Sequence, residues 1–95
     1  MIPFEEIIKE TTRKIEDGSI ILTEHAEERV EQRDIDLEPF HNFSQTLLGL
    51  CLNNREQNSY KSWHSSQEGK DVVVIYSLKK EKVEVITAYY SDLQR

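Results

Sequence analysis

Two stretches near the end decide the fold: Asp71-Val-Val-Val-Ile-Tyr-Ser-Leu78 and Val83-Glu-Val-Ile-Thr-Ala-Tyr-Tyr90. Both are rich in β-branched and aromatic residues, which fit a pleated, half-buried surface. Lys79-Lys-Glu-Lys82 joins them as a short polar connection, so the pair reads as an antiparallel hairpin over about 71–79 and 82–90. In the second strand, strict alternation places Val83, Val85, Thr87 and Tyr89 on one face and Glu84, Ile86, Ala88 and Tyr90 on the other. Upstream, Ser59-Tyr-Lys-Ser-Trp-His64 also alternates, and a strand is expected over about 58–64. Ser65 to Lys70 reads as a turn.

Before these strands the period is helical. Pro3 suits a first turn, and Phe4, Ile7, Ile8, Thr11 and Ile15 recur at helical spacing until Gly18. A helix is expected over about 3–17, followed by a short apolar piece, Ile20-Ile-Leu22. Thr23 offers an N-cap hydroxyl, with Glu24, Glu27 and Glu28 at the positive end of a second helix over about 24–33. Asp36 caps a third, in which Phe40, Phe43, Leu47 and Leu50 keep helical spacing over about 37–52. Helices first and an antiparallel sheet of about three to four strands afterwards make an α+β domain over residues 1–95.

Composition narrows the function. The 95 residues are 37% hydrophobic and 32% charged, too apolar for a disordered chain and too polar for a membrane span. One cysteine, Cys51, gives no internal disulfide framework, and no secretory pattern opens the chain, so a cytoplasmic location is expected. Net charge is −6, unlike the basic footprint of most nucleic-acid binders. The acid is concentrated: residues 1–38 hold twelve acids and five bases, net −7, against net +1 for residues 39–95.

The second helix carries the chemistry. At about 100° per residue, His25, Arg29 and Arg33 fall within an arc of about 80°, beside the apolar pair Ala26 and Val30 and away from most of the glutamates. Guanidinium groups bind phosphate oxygens bidentately and stabilise developing negative charge, while imidazole exchanges a proton near neutral pH. The bland reading is a solvated face of weak ion pairs. It fits in part: Arg33 has Asp36 three residues on, but Arg29 has no acid at three- or four-residue spacing. An acid from elsewhere in the fold is the simplest partner for it.

Other residues are weaker candidates. His64 offers a second acid/base or a substrate contact, against the simpler reading of a partly exposed surface histidine. His41 sits at the start of the third helix, among capping acids. Thr87 reads most simply as a β-former with a satisfied hydroxyl; alternatively Thr87 and Tyr89 present hydroxyls from a rigid strand toward a phosphate or ribose, and Tyr89 or Tyr90 offers a ring to stack on a base. Cys51 reads as a small core residue of an apolar helix. The spacing of His25, His41, Cys51 and His64 matches no metal site, and no glycine-rich phosphate loop exists, so neither metal nor cofactor is expected.

Thr23-Glu-His25-Ala26-Glu-Glu-Arg29-Val30-Glu-Gln-Arg33-Asp34-Ile35 resembles the T-x-HA-x-x-R-x-x-x-R-x-I signature of a small bacterial and phage domain family of unknown function. Val85-Ile-Thr-Ala-Tyr89 resembles that family's closing strand. The family is similar to the barnase–EndoU–colicin–RelE-like (BECR) superfamily of metal-independent ribonucleases and toxins, with N-terminal helices before an antiparallel sheet. The resemblance implies an RNA-cleaving effector acting on tRNA or mRNA, often held by a cognate inhibitor or antitoxin. It implies His25 as general acid/base, Arg29 and Arg33 on the scissile phosphate, and Thr87 with Tyr89 completing the site. The family commonly has Gly where this chain has Asp34, which leaves the helix stop to be explained. The acidic first half favours a competing reading, a non-enzymatic inhibitor, antitoxin or regulator that keeps the fold and contacts a basic partner. A plainer alternative is self-association through an exposed edge strand.

Overall fold

A computed structural model describes residues 3–66 and 69–91. The turn expected over 65–70 includes Gln67 and Glu68, which lie outside the described residues. The chain forms α1 (Phe4–Glu16), β1 (Ile20–Leu22), α2 (Glu24–Gln32), α3 (Glu38–His41), α4 (Phe43–Thr46), β2 (Leu47–Asn54), β3 (Ser59–His64), β4 (Val72–Leu78) and β5 (Val83–Tyr90). The five strands make one mixed sheet in the order β1-β5-β4-β3-β2, in which β1 runs parallel to β5 and the other pairs are antiparallel.

Both longer helices stop in the same way. In α1, Ser19 N–H reaches the Lys14 carbonyl and Gly18 N–H reaches Ile15, with Gly18 at φ 76°. In α2, Ile35 N–H reaches the Val30 carbonyl and Asp34 N–H reaches Glu31, with Asp34 at φ 50°. Each is a Schellman stop, which needs a left-handed residue after the cap. Asp34 does the glycine's work, and the apolar pair Val30 and Ile35 closes the motif in the core. A left-handed aspartate is strained where glycine is not. Asp34→Gly is therefore expected to stabilise the fold by about 0.5–1 kcal/mol, read as a shift of the urea midpoint at unchanged slope.

The helices cover one face of the sheet. Ile7 and Ile15 from α1, Ala26 from α2, and Phe40 and Phe43 pack with Val72, Val74, Tyr76, Val83, Val85 and Ala88. Thr11 Oγ1 and the Tyr76 hydroxyl meet at 2.9 Å inside this layer, and Lys14 Nζ donates to the Lys79 carbonyl at 2.7 Å. Burial raises the Tyr76 hydroxyl pKa well above its usual value, so it stays a neutral hydrogen-bonding group. Among the described residues no helix covers the other face of the sheet.

Three expectations from periodicity are corrected. The helix expected over 37–52 is two single turns followed by a strand. The cause is a bulge: Leu47 pairs with His64 and Gly49 with Trp63, so Leu48 is skipped. The skip puts Leu47 and Leu50, three residues apart, on the core face and imitates helical spacing. Cys51 is accordingly an exposed strand residue rather than a core residue of a helix. The expected antiparallel sheet of three to four strands is a mixed sheet of five, because the short apolar piece Ile20–Leu22 packs on the core and pairs parallel with Val83–Val85.

The third correction concerns β5. Ile75 pairs with Thr87 but Tyr76 pairs with Val85, leaving Ile86 as an extra residue. The alternation flips there. Val83, Val85, Ala88 and Tyr90 face the helices, whereas Thr87 and Tyr89 join Glu84 on the open face.

Candidate phosphate site and open sheet face

Helix α2 is fastened to β5 at both ends. At the start, Thr23 Oγ1 accepts from Ala26 N–H at 3.1 Å and donates to the Ile86 carbonyl at 3.2 Å, while Thr23 N–H donates to Val85. Beyond the far end, the Tyr90 hydroxyl accepts from Asp36 N–H at 3.0 Å and donates to the Asp34 carbonyl at 3.2 Å. From Thr23 to Asp34 the helix rises about 16 Å. From Ile86 to Tyr90 the strand rises about 13 Å, and the tyrosine ring supplies the rest. The helix therefore runs alongside the second half of β5. Pairing with β1 stops at Val85, so that half of β5 has no β1 neighbour.

Thr23→Ala removes both the cap and the strap to Ile86. The expected loss is about 1–2 kcal/mol, with Thr23→Ser retaining most of the stability, as measured by thermal or urea unfolding.

Along α2, His25 is exposed, Arg29 half-buried and Arg33 exposed as the C-cap. Among the described residues none of the three has an ion-pair partner, and the pairing of Arg33 with Asp36 expected from spacing does not form. The acid sought for Arg29 is not supplied by any described residue. The ion pairs that do form join Glu10 to Arg13 at 3.0 Å and to Lys14 at 3.4 Å, on α1. Thr87 follows Ile86, the residue whose backbone is strapped to Thr23, but its position in the ladder, like that of Tyr89, is on the open face, away from the layer in which α2 packs. Thr87 and Tyr89 are both half-buried.

His64 is placed differently from the expectation of a partly exposed substrate contact. It faces the helices, has 0% exposure, and packs with ring centroids 5.5 Å from Phe40 and 5.0 Å from Phe43. Its two nitrogens lie 2.9 Å from Thr46 Oγ1 and 2.8 Å from Ser62 Oγ. Thr46 donates its hydroxyl proton to the Pro39 carbonyl, so it accepts from Nδ1–H of His64, and Nε2 accepts from Ser62. Burial lowers the pKa of His64 to about 4, which keeps it neutral at ordinary pH. It is a satisfied core histidine.

The Tyr90 hydroxyl serves as a strap to Asp34 and Asp36, and Lys70 Nζ lies 5.5 Å from the centroid of its half-buried ring. His41 is exposed at the end of α3. A cleft of about 220 Å³ opens near Asp36, Glu38, Asn42, Thr46 and Tyr90; His25, Arg29 and Thr87 do not line it. Among the described residues no cluster of three or more His, Cys, Asp or Glu side chains could hold a metal ion.

Sequence reasoning missed Lys61 and Trp63. The alternation of β3 places them together, opposite Tyr60, Ser62 and His64, and that signal was readable once the helices claimed the other face. Comparisons with protein-family models, curated proteins and solved structures found no match to this chain.

Proposed function

We propose that the chain is a metal-independent endoribonuclease of the toxin-like, BECR-related kind. In this reading Arg29 and Arg33 hold the scissile phosphate, His25 moves a proton, and Thr87 and Tyr89 contact phosphate or ribose. The 2′-oxygen attacks the adjacent phosphorus as its proton is taken, and the 5′-oxygen leaves as it gains one. The products are a 2′,3′-cyclic phosphate end and a 5′-hydroxyl end. His25 serves one of these transfers and water the other. Metal is not required, because the nucleophile is built into RNA and catalysis is positioning plus charge stabilisation.

The observation that carries this reading is the stripe of His25, Arg29 and Arg33, without ion-pair partners among the described residues, on a helix strapped to the β5 backbone at Ile86. Stacked cations cost a little stability unless an anion joins them. The test is incubation of purified protein with tRNA and total RNA in EDTA. Fragments bearing 2′,3′-cyclic phosphate are expected. Intact RNA, or cleavage unchanged in His25→Ala, overturns the proposal.

One observation favours the competing reading of a regulator or antitoxin-like binder. Glu24, Glu27, Glu28 and Glu31 are all exposed on α2, an acidic surface suited to a basic protein. Reversing these four charges should then abolish pull-down of a partner; unaltered binding removes the idea. No helix of the described residues is long and apolar enough to cross a membrane.

A further inference from the structure

The open sheet face carries a grouping that shares only Tyr89 with the proposed ribonuclease site. The register sets Trp63, Val73 and Tyr89 in one row across β3, β4 and β5, and Lys61, Ile75 and Thr87 in the next. Lys61 Nζ lies 4.9 Å from the Trp63 ring centroid and 5.8 Å from that of Tyr89. One ammonium group thus spans two π-faces within cation–π range. Val73 sits between the two rings and is only 1% exposed, although no helix of the described residues covers this face. The rings and the lysine stem roof it, while Trp63, Tyr89 and Lys61 themselves remain half-exposed.

The charge is arranged to suit. The acidic stretch 1–38 forms α1, β1, α2 and the loops around them, and its two helices lie on the opposite layer. On the open face of β3, β4 and β5, the one acid is Glu84, paired with Ser77 at the far end from Trp63 and Tyr89. The aromatic end carries the Lys61 cation; the acid adjoining this end, Asp71, precedes β4 two residues before Val73, is half-buried and already has an interaction of its own. The aliphatic surface of these strands here is confined to the half-buried Ile75, since Val73 is already covered. What remains is a pair of flat rings and an ammonium, which fits flat bases joined by phosphates.

We propose that Lys61, Trp63 and Tyr89 form a stacking platform for unpaired bases of single-stranded RNA, with the Lys61 ammonium on the connecting phosphates. This rests on the ribonuclease reading for its ligand, and it adds the substrate class: an unpaired strand rather than a duplex. Thr87 lies in the row beside the platform, on the same open face.

Trp63 is the only tryptophan, so its fluorescence reports on the platform alone. The full-length chain, wild type and His25→Ala, is titrated with eight-nucleotide oligo(U) and oligo(A), a matching RNA duplex, single-stranded DNA and inorganic polyphosphate. Quenching by the single-stranded RNAs is expected, with the duplex and polyphosphate inert. Weaker quenching by DNA than by RNA is also expected if Thr87 reads the ribose; equal quenching assigns the platform to unpaired nucleic acid of either sugar and overturns its RNA specificity. Affinity measured by anisotropy should fall roughly ten-fold or more in Trp63→Ala and Tyr89→Ala, and survive in Trp63→Phe and Tyr89→Phe. Should Trp63→Ala not fold, Tyr89→Ala and Lys61→Ala decide the matter. No quenching, equal quenching by polyphosphate, or unchanged affinity in these variants overturns the platform. Binding by the platform without RNA cleavage would remove the catalytic reading and leave the platform standing. Cleavage with unchanged affinity would do the reverse.

Discussion

His25→Ala is expected to slow RNA cleavage by about 10²–10⁴-fold while leaving the melting temperature within a degree or two. The rate effect is the usual worth of a positioned general acid or base. The stability effect is small because His25 is exposed, has no hydrogen bond or ion pair among the described residues, and occupies a helix where alanine is the best former. Arg29→Lys is the informative companion. It keeps the charge but loses the fork that grips two phosphate oxygens, so a loss approaching that of Arg29→Ala is expected if the contact is bidentate. Single-turnover rates on one defined RNA, with thermal unfolding of each variant, separate lost chemistry from lost structure. Equal rates for wild type and His25→Ala would remove His25 from the reaction.

The fold should weaken by about 3 kcal/mol between pH 6.5 and pH 4 on account of His64 alone. In the unfolded chain its imidazole takes up a proton near pH 6.5. In the folded chain burial holds that step down to about pH 4. Between these values the unfolded state binds more protons, so stability is full above about pH 6.5 and is lost as pH falls toward 4. The figure is the separation of the two pKa values converted at about 1.4 kcal/mol per unit. His64→Phe is a suitable control. It keeps a ring among Phe40 and Phe43, and it leaves Thr46 the Pro39 carbonyl and Ser62 the Val74 carbonyl as acceptors. Urea unfolding at pH 7 and pH 5 should show the wild type losing markedly more stability than His64→Phe. Matching losses would show that the titration belongs to other groups.

Much of the architecture was legible because some patterns are complete within their own segment. Helix α1 shows its apolar stripe, its acidic first turn and its Gly18 stop within one stretch, and α2 shows its Thr23 cap and charge stripe. The hairpin of β4 and β5 announces itself by β-branched density. Where the reading went astray, the deciding information lay in another segment. Three residues of β1 have no period, and only the Val83–Val85 backbone makes them a strand. In β2 the bulge at Leu48 turns a strand into the likeness of a helix, and pairing with β3 reveals it.

The candidate site divides along the same line. That His25, Arg29 and Arg33 share a helical stripe with no local acid for Arg29 follows from residue order alone, because a 3.6-residue period is a property of the helix. So does the concentration of acid in residues 1–38. Strand pairing and packing between segments put the acidic helices and the aromatic face on opposite sides of the sheet. They also make His64 interior, and the extra residue at Ile86 turns Thr87 and Tyr89 to the side of Lys61 and Trp63. Register is the cause: one unpaired residue in a ladder of period two exchanges the faces for everything beyond it, and the partner strand sets where that residue falls.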